Sequence, residues 1–147
     1  MSRVYIAGPM RGYPKFNFPA FDAARDAWAA RGWEVVSPAD LDRQLDGVQE
    51  DNPTPEQVKP FAHYMRRDIE VLLTVDAIAF LPGWEKSTGA NVEMVVGAAL
   101  NLDLYDAITF GTLPDSAERG FRGMPSLCQA LEQKLELFAT PGAYHTV

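Results

Sequence analysis

Glu93 is a single ionisable side chain inside an otherwise apolar helical run, GANVEMVVGAAL, at residues 89–100. It is misplaced for a capping box, because a cap at Ser87 puts the third helical position at Ala90. The carboxylate should lie about one turn inside the helix, beside the preceding loop. That loop offers hydroxyls and backbone N–H groups at the positive end of a helix dipole, which is the usual setting for a phosphate. The pattern predicts an anion site next to a carboxylate.

A second carboxylate, Asp68, falls on the apolar face of a predicted helix. It follows Phe61 by seven residues and Met65 by three, and it precedes Leu72 by four. A carboxylate on such a face must be paired, hydrogen-bonded or shifted in pKa. Adjacent helical residues point apart, so the preceding Arg67 is expected to be a poor partner. These residues alone favour a structural aspartate and a catalytic one equally.

The first strand and the loop after it carry a further set of candidates. Tyr5 alternates with apolar neighbours, and its hydroxyl, if buried, needs a partner for which Glu93 is a candidate. The loop GPMRGYPKFNF at residues 8–18 has Arg11 as an anion donor and aromatic rings that could stack on a base. Such a loop alone more often only shapes a turn. The chain also lacks the GxGxxG and GxxxxGK[ST] motifs of dinucleotide and Walker sites.

Composition excludes several classes of protein. The chain has 147 residues, 47% of them hydrophobic, which fits one domain with a real core. A net charge of -7 argues against binding duplex nucleic acid. There is no apolar run long enough for a membrane span, no secretory signal is expected, and a single cysteine cannot make an internal disulfide. A cytoplasmic protein with no membrane or nucleic-acid partner is expected.

Short apolar runs alternate with amphipathic stretches along the chain. Strands are predicted at residues 3–7, 33–37, 76–81 and 102–105, with helices after Asn17 as a cap, along residues 61–72 and 89–100, and near the C terminus at 125–138. The polar, acidic and proline-bearing stretch at residues 38–60 is expected to be an exposed loop or flap without core residues. The alternation predicts a single α/β domain over residues 1–147. Its doubly wound parallel sheet, flavodoxin-like or Rossmann-like and flanked by helices, would bind ligands at the loops 8–18 and 82–89.

Three segments together resemble the nucleoside 2-deoxyribosyltransferase superfamily. They are YIAGPMRG at residues 5–12, RRDIEVLLTVDAIAFL at 66–81 and S-x-G-x-x-x-E at 87–93. The order and spacing also match, over roughly residues 3–106. Within the superfamily the chain is most similar to the small deoxyribosyltransferase-like proteins with a YIAGPM start and an LPGWExSxGAxxE segment, and to the branch that hydrolyses nucleoside 5′-monophosphates.

The resemblance implies chemistry at the N-glycosidic bond. Glu93 matches the family nucleophile that attacks C1′, Tyr5 the tyrosine that positions it, and Asp68 a candidate general acid. Ser87 stands where transferases that act on nucleosides carry an aspartate, and a hydroxyl at a helix N-terminus favours a 5′-phosphate that a carboxylate would repel. Arg11, with the glycine after it, matches the loop of the hydrolase branch.

The expected function is an N-glycosidase that hydrolyses the base–sugar bond of a (2′-deoxy)nucleoside 5′-monophosphate through a glycosyl-enzyme. Base exchange by a deoxyribosyltransferase and a non-catalytic nucleotide-binding or sensing module are the alternatives. Trp84 could stack on the base or close the pocket, with simple packing equally expected. No metal or cofactor is inferred, and the resemblance implies a homodimer or larger homo-oligomer. The expected substrate-binding residues are Gly8, Met10, Arg11, Gly12, Phe16, Asn17, Trp84, Ser87 and Gly89.

Overall fold

The computed structural model describes residues 2–48 and 58–113. Strands and helices alternate along this part of the chain, as the periodicity predicts. In order, the elements are β1 (Arg3–Ala7), α1 (Phe18–Ala30), β2 (Glu34–Val36), α2 (Pro38–Asp46), α3 (Phe61–Leu72), β3 (Ala77–Phe80), α4 (Thr88–Ala99) and β4 (Asp103–Asp106). The predicted boundaries hold to within one or two residues for all of these elements except α2.

The four strands form one parallel sheet in the order β2-β1-β3-β4. Tyr5, in the middle of β1, is aligned with Val36 of β2 on one side and Ile78 of β3 on the other. The chain reverses its direction of winding between β1 and β3, which is the point where open α/β sheets bind ligands at the carboxyl ends of their strands. The prediction of a doubly wound α/β domain is confirmed.

Helices cover both faces of the sheet because strand residues alternate between two apolar layers. Val4 and Ile6 belong to the layer beneath α1, where Trp28 donates its indole N–H to the Ala107 carbonyl at 3.0 Å. Tyr5 and Ile78 belong to the opposite layer, beneath α3 and α4. The tyrosine is therefore on the side of the sheet that also carries Asp68 and Glu93.

The expectation of an exposed loop at residues 38–60 is wrong for its first part. Residues 38–46 form α2, and Ala39 and Val48 are buried in the layer beneath α1. The signal was present in the sequence, since Ser37 followed by Pro38 is a typical helix start and Gly47 ends the helix in the left-handed conformation. The remainder of that stretch, residues 49–57, lies outside the described residues, as does the helix predicted at residues 125–138.

The prediction of Asn17 as a capping residue is also wrong in its chemistry. Asn17 occupies the N-cap position of α1, but its side chain makes no cap hydrogen bond. Instead its Nδ2 donates to the Pro9 carbonyl at 2.9 Å. Asn17 therefore ties together the two ends of the first loop. None of the helices in residues 2–48 and 58–113 has the length and apolar character needed to cross a membrane.

Candidate functional site

A cavity of about 600 Å³ lies at the carboxyl ends of the strands, where the loops after β1 and β3 lead to opposite faces of the sheet. Both loops singled out from the sequence contribute to it, at residues 8–18 and 82–89. Helices α2, α3 and α4 supply the remaining wall. Among the predicted site residues, the cavity is lined by Tyr5, Gly8, Met10, Arg11, Phe16, Asp68, Ser87, Gly89 and Glu93.

Glu93 is buried in the wall of this cavity. It lies in the second turn of α4, which Ser87 caps by accepting a hydrogen bond from the Ala90 N–H at 3.3 Å. Its side chain is 4% exposed, and the Tyr5 hydroxyl is among the groups that act on its pKa. Its Oε2 atom has no hydrogen-bond partner among the described residues. A buried carboxyl oxygen without a partner is uncommon in folded proteins and calls for an explanation.

Burial controls the protonation of the two carboxyl groups. Desolvation, reinforced by the nearby charge of Asp68, raises the pKa of Glu93 well above its ordinary value, while the Tyr5 hydrogen bond and Arg67 oppose this shift. Desolvation also raises the pKa of Asp68, against the lowering effects of Arg67 and Tyr5. Both carboxyl groups therefore hold their protons more tightly than exposed carboxyl groups do, and a developing positive charge on a ligand would favour proton release.

Arg67 is the partner of Asp68, contrary to the expectation from the sequence. Its Nε donates to Asp68 Oδ1 at 2.9 Å, and its Nη1 donates to Asp42 at 2.7 Å and to Asp46 at 3.3 Å. The rule that adjacent helical residues point apart fails here because a long arginine side chain can fold back along its own helix. Burial opposes the charge of Arg67, but Asp68 and Asp42 outweigh that effect and raise its pKa.

Asp42 is a site residue that the sequence reasoning missed. It projects from α2 into the cavity wall, where it is 6% exposed. Desolvation raises its pKa to about 6, although the hydrogen bond from Arg67 acts in the opposite direction. Asp42 was missed because a loop was predicted at residues 38–60. The signal was nevertheless present, since Ala39, Asp42 and Asp46 recur at the helical spacing that marks one buried face.

The start of α4 also lines the cavity. Ser87, Thr88 and Gly89 line it, and the N–H groups of the first helical residues have no acceptor within the helix. Lys86 and Arg11 also line the cavity, so two cationic side chains accompany the positive end of the helix dipole. This part of the cavity suits an anion, whereas Glu93, Asp68 and Asp42 make the rest of the wall acidic.

The two loops touch each other across the cavity. A Cβ atom built on Gly83, which has a φ of +87°, would lie 2.7 Å from the Tyr13 hydroxyl oxygen. Nearby, three consecutive residues of the first loop, Lys15, Phe16 and Asn17, adopt left-handed backbone angles. Such angles are costly for residues other than glycine and are typical of functional loops. The Asn17 hydrogen bond to Pro9 helps to hold this conformation.

Three predicted site residues do not line the cavity. Trp84 is buried and packs on Phe80 with ring centroids 4.9 Å apart, so the packing alternative describes its position. Gly12 is exposed, with no atom within 4 Å of a Cβ built on it. Asn17 does not face the cavity but holds the first loop through its hydrogen bond to the Pro9 carbonyl. Conversely, Phe61, predicted as part of a buried stripe, is 41% exposed and lines the cavity.

The described residues contain no group of three or more His, Cys, Asp or Glu side chains placed to hold a metal ion.

In a comparison with known protein families, residues 2–106 match a family described as a domain of unknown function, DUF4406. The matched range includes all the cavity-lining residues named above. No curated protein matches the chain.

Proposed function

The chain belongs to the DUF4406 family, and we propose from its cavity that it is an N-glycosidase that releases the base from a nucleoside 5′-monophosphate. The observation that carries the proposal is the buried and unpartnered Oε2 of Glu93, a residue that lines the same cavity as Tyr5 and Asp68. Carboxyl groups in such pairs act as nucleophile and general acid in glycoside cleavage.

The phosphate is assigned to the start of α4. Helix N-termini bind anions through free N–H groups and the helix dipole. Thr88 and Gly89 are the first two residues of this helix, and Lys86 lines the same part of the cavity. The Ser87 hydroxyl already accepts a hydrogen bond from Ala90 but can still donate its own proton to a phosphate oxygen.

The carboxyl groups are assigned to the bond that breaks. As the bond between C1′ and the base nitrogen breaks, its electron pair goes to the base, which takes a proton from Asp68. Ionised Glu93 forms a bond to C1′, and the positive charge that develops there offsets the raised pKa of the carboxyl group. Water then adds to C1′, Glu93 departs as a carboxylate, and the proton from water returns to Asp68.

Two atoms favour this division of roles over its reverse. Asp68 Oδ1 is held by Arg67, whereas Glu93 Oε2 has no protein partner among the described residues. The free oxygen suits bond formation with carbon. The held carboxyl suits repeated proton transfer in a fixed position.

The test is chromatographic detection of free base after incubation with ribo- and deoxyribonucleoside 5′-monophosphates and the corresponding nucleosides. Release from a monophosphate should fall by at least about a hundredfold in Glu93→Gln. It should be unchanged in Glu85→Gln, which alters an exposed glutamate of the preceding loop. Intact-mass spectrometry of rapidly quenched wild type should detect a sugar-phosphate adduct that Glu93→Gln lacks.

The alternatives give different results in the same assay. Release that requires an added free base, with formation of a new nucleotide, would identify base exchange. Tight nucleotide binding that Glu93→Gln leaves intact, with no release in any condition, would identify a binding module. Release from nucleosides alone would overturn the assignment of the phosphate to the α4 N-terminus.

A further inference from the structure

Asp42 remains unused by the mechanism, although it is buried in the wall of the same cavity. It comes from α2, the helix that follows β2, whereas Glu93 comes from α4, which follows β3 and is capped by Ser87. Because β1 lies between these strands, β2 and β3 are two strand spacings, about 10 Å, apart. A ligand whose phosphate binds at the start of α4 and whose sugar lies over Tyr5 can therefore reach Asp42 with its base.

The surroundings of Asp42 fit a planar base with a polar edge. Pro38 and Val48 line the cavity beside it and provide apolar surface for a ring, and Val48 donates its backbone N–H to the Asp42 carbonyl at 3.1 Å. The carboxylate is fixed by Arg67 Nη1 at 2.7 Å. A fixed and buried polar group in a cavity wall distinguishes ligands by hydrogen bonding far better than a mobile surface group.

Charge decides which kind of base edge fits. The hydrogen-bonding nitrogens of Arg67 are engaged by carboxylates, with Nε and Nη2 on Asp68 and Nη1 on Asp42 and Asp46. One positive charge therefore faces three carboxyl groups. The hydrogen-bonding capacity that Asp42 offers to a ligand is that of an acceptor, which binds an N–H donor and repels a carbonyl oxygen.

We infer that Asp42 is the residue that recognises the base, an inference that rests on the proposed nucleotide site. Asp42 would select nucleotides whose base carries an exocyclic amino group over those with a carbonyl in the same place. Asp42 would accept a hydrogen bond from the amino group and would keep its hydrogen bond from Arg67. The pKa of about 6 leaves the carboxylate mainly ionised at neutral pH, the form that accepts. The groups that face it in setting this value are Arg67, Asp68 and Asp46.

The experiment measures binding, so that it does not depend on turnover. Dissociation constants for the Glu93→Gln variant are determined by calorimetry at pH 7.5 with two matched pairs, cytidine against uridine 5′-monophosphate and adenosine against inosine 5′-monophosphate. We expect the amino member of at least one pair to bind about tenfold or more tightly. Equal affinities within both pairs, or tighter binding of the carbonyl members, would overturn the inference.

The Asp42→Asn substitution, added to Glu93→Gln, sharpens the test. Arg67 should retain the amide oxygen, which turns the NH₂ group toward the base, so the amino preference should disappear or reverse. Asp46→Asn is the matched control, because Asp46 bonds the same arginine from the same helix without lining the cavity. It should retain the preference of its parent. A loss of preference in both variants would mean that the arginine network, and not Asp42, selects the base.

The outcomes also separate this inference from the proposed function. Base release without an amino preference would refute base reading by Asp42 and leave the glycosidase intact. Amino-selective binding with no release by the wild-type protein would support base reading by Asp42 and refute the glycosidase. Absence of binding to all four nucleotides would refute base reading by Asp42, and the release assay with the wider set of monophosphates would still decide the glycosidase. If Asp42→Asn does not fold, the ratio of affinities within each pair still decides.

Discussion

At the scale of single residues, the site depends on a carboxyl group placed where its charge is unfavourable. Glu93 is buried, and the Tyr5 hydroxyl, which lowers its pKa, also lowers the pKa of Asp68. A glutamine at this position would keep nearly the same shape and remove the ionisable group. The cost of this arrangement should therefore be measurable as a dependence of stability on pH.

We predict that Glu93→Gln becomes more stable relative to the wild type as pH rises. The folded protein holds the Glu93 proton more tightly than the unfolded chain does, so wild-type stability is lost as pH rises above the ordinary pKa of 4.5 toward the raised folded value. Within that window the difference in free energy of unfolding should change by up to about 1.4 kcal/mol per pH unit. Urea denaturation at pH 5 and pH 8 measures it.

The control for this prediction is Glu85→Gln, at an exposed position. Its difference from the wild type should be nearly the same at both pH values. A constant difference for Glu93→Gln would show that the carboxyl group is already ionised in the folded protein at pH 5, contrary to the burial of its side chain.

At the scale of elements, the two loops form one unit through the contact between Tyr13 and Gly83. Gly83→Ala should lose about 1 kcal/mol of stability, because its φ of +87° disfavours a side chain. It should also displace Tyr13, since the added Cβ would lie 2.7 Å from the tyrosine hydroxyl. We therefore predict both a lower melting temperature and severalfold weaker nucleotide binding, measured by thermal unfolding and calorimetry.

Gly32→Ala is a matched control for that substitution. Gly32 has a similar φ of +92°, but nothing lies within 4 Å of a Cβ built there. It should lose a similar amount of stability and bind nucleotide as the wild type does. If both variants bind equally well, the contact between the loops has no part in shaping the site.

Sequence periodicity was sufficient to predict the strands of the sheet but not the helix, α2, that forms one wall of the site. Strands and helices with strong apolar patterns, such as β1 and α4, were predicted to within a residue or two. That Glu93, Tyr5 and Asp68 share one site was expected only from the family resemblance. Helix α2 was missed because its exposed side is highly polar and only one narrow face is buried. Arg67 was missed because its partners Asp42 and Asp46 lie more than twenty residues away in sequence, and no local rule connects them.

At the scale of the whole molecule, the cavity joins the two faces of the sheet. Its walls include α2, which packs in the layer with α1, and α3 and α4, which pack on the other side. A ligand that spans the cavity should therefore link elements that otherwise meet only through the sheet. Such a link should be measurable as slower exchange of backbone amide hydrogens in helices on both faces of the sheet.

We predict that a bound nucleoside 5′-monophosphate slows hydrogen exchange in both α2 and the first turns of α4 in the Glu93→Gln variant. Binding suppresses the local opening of the segments that contact the ligand. The solvent-facing side of α1 should be unaffected. Exchange followed by mass spectrometry, with the unphosphorylated nucleoside as the comparison, measures the effect. Protection confined to α4 would contradict the placement of the base beside α2.

The packing of Trp84 gives the protein a built-in optical reporter. Trp28 and Trp33 lie together on the α1 side of the sheet, with ring centroids 5.4 Å apart, whereas Trp84 is buried on the other side against Phe80, at the base of the loop that borders the cavity. The difference between the fluorescence spectra of the wild type and Trp84→Phe therefore isolates the emission of a single indole next to the site. Changes in that emission would follow ligand entry in real time, without a label and without turnover.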